Sequence, residues 1–133
     1  MVRQLLRVRG VGEMSAWLLT MELFSWRRLR NRREVAGILG LTATPQASGD
    51  RRRELGIGKS GSALLRGLAL ELAWCWLRYQ PHSALSQWYR TRFAAGGSRQ
   101  RRIGIVAVAR RLMIALWRYV ETGQVPAGAL LKA

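Results

Sequence analysis

A mainly α-helical, compact domain is the fold class this sequence predicts, and three observations predict it. Apolar residues recur at helical spacing through residues 63–79 and 101–121. No stretch shows the strict alternation of apolar and polar residues that a half-buried strand requires. Gly, Pro and Ser cluster at Gly10-Val11-Gly12, across residues 37–66, at Pro81 and at Ala95-Gly96-Gly97-Ser98, where they divide the helical segments. With 133 residues, 49% of them hydrophobic, one core in one domain covering 1–133 is expected.

Taken in order, residues 3–9 carry leucines and arginines on a short helical pattern. Gly10-Val11-Gly12 follows, then an apolar helical pattern at Met14, Trp17, Leu18 and Met21. Helix, Gly-x-Gly turn and helix form the layout of a helix-hairpin-helix element. Its glycines let backbone N–H groups approach a phosphate, so Gly10 and Gly12 are candidate DNA contacts. Residues 27–33 hold five arginines in seven positions. Asn31 followed by Glu34 is a cap signal for a helix through Val35, Ala36, Ile38 and Leu39, which Gly40 ends.

Residues 37–66 are too rich in Gly, Pro and polar residues for a regular element and too long for a plain connector. Ser60 or Ser62 can cap the long helix that follows, with Leu65, Leu68, Leu72, Cys75, Trp76 and Tyr79 on its apolar face. Pro81 stops it, and Ser83 can cap the next helix, with Leu85, Trp88, Tyr89 and Phe93 apolar. The helix at about 101–121 is apolar almost all round, which places it at the centre of the core. Residues 124–133 form an irregular tail. The tryptophans at 74, 76, 88 and 117 read as core packing rather than as base-stacking platforms.

Charge narrows the partners. Lys plus Arg number 23 against 7 Asp plus Glu, a formal net charge of +16, and lysine occurs only at Lys59 and Lys132. Such an excess calls for a polyanion. A membrane surface is disfavoured because the arginines cluster between helices rather than along one amphipathic face. The apolar runs 63–77 and 103–117 contain Arg66 and Glu71, and Arg110 and Arg111, so neither reads as a membrane span. Cys75 is the single cysteine, which excludes an intrachain disulfide, and between Trp74 and Trp76 it reads as a small buried hydrophobe. His82, the single histidine, sits after Pro81 at a helix boundary and is expected to face solvent. The one aspartate, Asp50, and the scattered glutamates draw no metal site.

The central loop carries the chemistry. Ser48-Gly49 stands just before Arg51, Arg52 and Arg53, with Lys59 and Arg66 further along. A serine hydroxyl needs a neighbouring base or charge stabilisation to attack. Phosphoryl transfer gathers negative charge around phosphorus, which fixed cations offset. Gly49 permits a backbone that exposes the hydroxyl.

Three stretches carry a resemblance: Leu6 to Ala16, Leu39 to Gly49, and Gly56 to Arg66. In this order and spacing they resemble the C-terminal domain of the "IS one-ten" insertion-sequence transposases, the bridge-RNA-guided DEDD recombinases. Glu71 to Trp74, Trp76 to Pro81, Ala109 to Leu112 and Trp117 to Tyr119 are similar to the "IS eleven-eleven" group. The resemblance implies that Ser48 attacks DNA and becomes covalently linked to it. It implies DNA and a guide RNA as partners, a homo-oligomer assembled on two DNAs, and a bacterial cytoplasmic, nucleoid-associated setting. Gly58 stands where the family has Ser, and Ser62 where it has Asn. The family's acidic, Mg2+-binding tetrad belongs to a RuvC-like N-terminal half. The expectation is therefore a serine-bearing half with no cofactor of its own, active only with a RuvC-like domain in cis or in trans. The alternative is a non-catalytic nucleic-acid-binding remnant of a transposase.

Overall fold

The computed structural model describes residues 1–24, 29–39 and 59–132. Among these the chain is mainly helical and builds one compact body. Helix α1 (Val2–Leu6) and α2 (Glu13–Leu19) are joined by the glycine turn, and α2 runs on into a π-helical turn, Thr20–Phe24. Then come α3 (Arg32–Leu39), α4 (Lys59–Tyr79), α5 (Ala84–Arg92) and α6 (Gly97–Thr122). Between residues 123 and 132 there is no helix. The end of the chain instead makes one antiparallel bridge, Leu131 with Val8.

Helix α6 is the axis of the body, as its apolar sequence predicts. Its 26 residues extend about 39 Å. It packs against α1, α3, α4 and α5, and buries Ile105, Val108, Leu112, Met113 and Leu116. Its outer face still shows Ile103 and Val106 to solvent. Gly104 lies against Phe93, the residue that ends α5: a Cβ there would sit 2.5 Å from the Phe93 ring, so glycine lets the end of α5 lie on α6.

Two of the predicted helix caps, Asn31 and Ser83, hold. Asn31 Oδ1 accepts from Glu34 N at 3.1 Å, while a Glu34 carboxylate oxygen accepts from Arg30 N at 2.9 Å. This is a capping box displaced by one residue at its return arm. Ser83 Oγ accepts from Ser86 N at 3.2 Å and caps α5. The third predicted start is corrected: Ser60 and Ser62 stand inside α4, which already includes Lys59. Gly40 lies outside the described residues.

Four burial expectations are corrected. In α2 the core side is Ala16 and Leu19, continued by Leu23 in the π turn, while Met14, Trp17 and Met21 are exposed. In α4 the buried stripe is Leu65, Leu68, Ala69, Leu72, Ala73 and Trp76, and Tyr79 is exposed. Trp74 is 52% exposed against 1% for Trp76, so it is not a core residue. Two positions along a helix turn a side chain through roughly 200°, which puts these two on opposite faces. Cys75 is only half-buried. His82 is exposed, as expected.

Gln80 is the polar centre of the packing. It is 1% exposed. Its Nε2 donates to Arg9 O at 2.8 Å and Leu130 O at 2.9 Å, and its Oε1 accepts from Leu130 N at 2.9 Å. One buried amide thus ties the end of α4 to the glycine turn and to the chain's last residues, with its own polar groups satisfied. A second tie joins α1 to α6: Tyr119 Oη donates to Gln4 O at 2.7 Å, and Gln4 Nε2 donates to Tyr119 O at 2.6 Å.

Candidate nucleic-acid interface

The glycine turn is braced from three sides. Val11 N donates to Val8 O at 3.1 Å and closes it. Arg9 N donates to Leu130 O at 3.2 Å and Lys132 N to Arg7 O at 2.6 Å, so the end of the chain lies along residues 7–9. Lys132 Nζ donates to Val11 O at 3.1 Å and brings a positive charge to the turn. A turn held this way needs little ordering when a ligand arrives.

The two glycines differ in role. Gly10 has φ +98° and lies against α4, where a Cβ would stand 3.5 Å from Tyr79 Cβ and 3.7 Å from Cys75 O. Gly12 is the residue before α2, in an extended conformation, and a Cβ on it would meet nothing within 4 Å. Gly10 therefore shapes the turn, and Gly12 leaves the turn's outer side open. Gly10→Ala is expected to lower stability by about 1–2 kcal/mol, because alanine is forced to positive φ. Gly12→Val is expected to stay within about 0.5 kcal/mol of the parent and to weaken DNA binding several-fold by filling the approach to the turn. Urea unfolding and a DNA titration of both variants check this pair of outcomes.

Both glycines line a groove of about 750 Å³ between the turn and α4. Arg9, Arg78 and Lys132 bring cations to it, and Glu71 brings one carboxylate. Arg78 also lies over the Tyr79 ring, 5.5 Å from its centre. Glu13, in the first turn of α2, adds a second negative charge near the helix start. The groove is basic on balance and suits a phosphate at its mouth. Arg9, Arg78 and Lys132 stand far apart in sequence. No local pattern joins them, and only the Gln80 tie and the chain's last residues bring them together.

The remaining candidate residues fall elsewhere. Arg66 is exposed on α4 and is not part of this groove. Lys59 is the first residue of α4, and its side chain lies outside the described residues. Ser48, Gly49, Arg51, Arg52 and Arg53 also lie outside them, so the structure neither joins them to the groove nor separates them from it. Among the described residues no group of three or more His, Cys, Asp or Glu is placed to hold a metal ion. No described helix is long and apolar enough to cross a membrane.

Comparison with known proteins supplies the family. Residues 2–90 match the transposase family described as IS116/IS110/IS902. Two proteins of Sinorhizobium fredii (strain NBRC 101917 / NGR234), both named as transposases, are similar to this chain. One, y4rJ, is 43% identical over 129 residues, which is 96% of this chain and 32% of y4rJ. The other, y4qE, is 31% identical over 83 residues, 62% of this chain and 21% of y4qE. The chain thus spans a third or less of the length of these curated relatives. No solved structure matches it. The family match runs from α1 through residues 40–58 and all of α4 into α5, and the chain belongs to the IS116/IS110/IS902 transposase family.

Proposed function

We propose that this chain is the serine-bearing, DNA-engaging part of an insertion-sequence transposase. The carrying observation is that the family match over residues 2–90 takes in the glycine turn, the Ser48-Gly49 block and Arg51 to Arg53. In this reading the braced turn and the +16 charge hold DNA by its phosphates, and Ser48 is the nucleophile. The Ser48 hydroxyl gives up its proton and its oxygen forms a bond to phosphorus as the bond from phosphorus to one deoxyribose oxygen breaks. That oxygen departs and takes up a proton. A deoxyribose hydroxyl later attacks the same phosphorus, restores a DNA phosphodiester and frees the serine. Bond energy is kept throughout, so strands are exchanged without a high-energy cofactor. Arg51 to Arg53 offset the charge that builds at phosphorus. The metal-dependent work falls to a RuvC-like domain in cis or in trans, and a guide RNA and oligomer formation complete the assembly.

A binding titration tests the DNA-engaging part of this reading. Affinity for duplex DNA is expected to fall steeply with salt, with a log–log slope near −0.9 for each phosphate contacted. Binding that stays level between low and physiological salt would show that phosphate contacts do not drive it.

A further inference from the structure

We propose that a second groove, between the start of α3, α5 and α6, binds a single-stranded segment of nucleic acid. This inference rests on the reading that the chain engages nucleic acid, and names a site for an unpaired strand. The groove measures about 750 Å³, and five arginines line it: Arg32 and Arg33 from α3, and Arg110, Arg111 and Arg118 from α6. Among the described residues no carboxylate lines it, and none of the five arginines pairs with one. Five like charges in one concavity repel each other, so the arrangement favours a ligand that carries several negative charges in a row. Guanidinium groups fork phosphate oxygens and are less strongly hydrated than ammonium groups, which suits them to a phosphodiester chain.

Three further observations bear on the ligand, and the first of them selects a strand over a duplex. Between the arginines the groove wall is apolar, built from Leu85, Trp88, Ile114 and Ala127. A duplex would set its outer phosphates on the rim and leave that wall uncovered. A single strand can place phosphates on the rim and turn an unstacked base onto the wall. The Arg111 guanidinium already lies 3.9 Å over the Trp88 ring, so it is held in place as a flat, charged surface before any ligand arrives. Deeper in, Arg110 Nε is buried without a hydrogen-bond partner among the described residues. A donor left in that state calls for an acceptor, and a phosphate oxygen supplies one.

The test uses the chain as it stands and three labelled oligonucleotides of one sequence: single-stranded DNA, single-stranded RNA and duplex DNA. The variant is R111A/R118A, two exposed side chains on one face of α6, with its fold checked by circular dichroism. Affinity for the single strands is expected to fall by about tenfold or more, and the salt slope by about 1.4 for two lost contacts. Duplex affinity is expected to change by less than about threefold. Of the two single strands, the tighter one identifies the source as a DNA end or an RNA. Equal losses on strand and duplex, or no loss on the strands, overturn the groove and leave the DNA-binding reading standing. Failure of the parent chain to bind any of the three overturns both. Photocrosslinking of a bromouridine-containing strand to the unmodified chain gives a second measure. Attachment to the peptide that carries Trp88 is expected, and attachment only outside the groove overturns the proposal.

Discussion

Ser48→Ala is expected to abolish covalent attachment of DNA to the protein while leaving DNA binding intact. The substitution removes one hydroxyl oxygen and no charge. In the proposed reading the arginines and the glycine turn carry binding, and the substitution changes none of those residues. The chemical step has no substitute, because alanine has no atom that can bond to phosphorus. The loss should therefore be complete to the limit of detection, with duplex affinity and its salt slope equal to those of the parent. Ser48→Cys should retain only a trace of adduct, since a thiolate is nucleophilic but poorly matched to a site arranged for an oxygen. The assay supplies a RuvC-like partner domain and guide RNA, and follows a labelled DNA end through denaturing electrophoresis. Adduct formation by Ser48→Ala at the parent's level would remove Ser48 from the mechanism.

Trp76→Ala is expected to cost about 3–5 kcal/mol of stability, the range for removing a large aromatic side chain from a core. Trp76 is 1% exposed, and its indole Nε1 donates to Ser83 Oγ at 2.9 Å. Ser83 Oγ in turn donates to Gln80 O at 2.9 Å, so the ring also anchors the turn between α4 and α5. A loss of that size is a large share of the roughly 5–15 kcal/mol by which domains are stable. Trp74→Ala, two residues earlier and 52% exposed, should fall within about 0.5 kcal/mol of the parent. Urea unfolding of the two variants side by side measures the contrast. Similar midpoints for both would contradict the assigned orientation of α4.

The same pair shows where the sequence was legible and where it was not. Helical spacing correctly marks α4 as a helix, but it cannot choose a face when both sides carry large apolar residues. In α2 the ambiguity is complete. Met14, Trp17 and Met21 share the spacing of Ala16, Leu19 and Leu23, and the larger set is the exposed one. Small Ala16 allows close packing, a fact of the tertiary arrangement rather than of the pattern. The caps at Asn31 and Ser83 were readable because a cap is set by residues three apart. Helix α6 was readable because an apolar surface that wide has few places to go except the core.

The interface was only half visible. The Gly10-Val11-Gly12 turn is local and stands out. Its bracing by Gln80 and Lys132 depends on contacts 71 and 121 residues apart in sequence. The five-arginine groove is hidden for the same reason. Arg32 and Arg33 read as part of a solvated charge run, and Arg110 and Arg111 as interruptions of an apolar helix. Only the packing of α3 and α5 on α6 sets them around one apolar wall.

Mass-spectrometric mapping of the DNA–protein adduct tests the central claim most directly. The unmodified chain is allowed to react with a DNA end in the presence of the RuvC-like partner and guide RNA, digested, and searched for the peptide that carries the nucleotide. The account predicts a single modified peptide within residues 45–53, with the bond at the Ser48 oxygen. A nucleotide attached to a residue outside that span would contradict it.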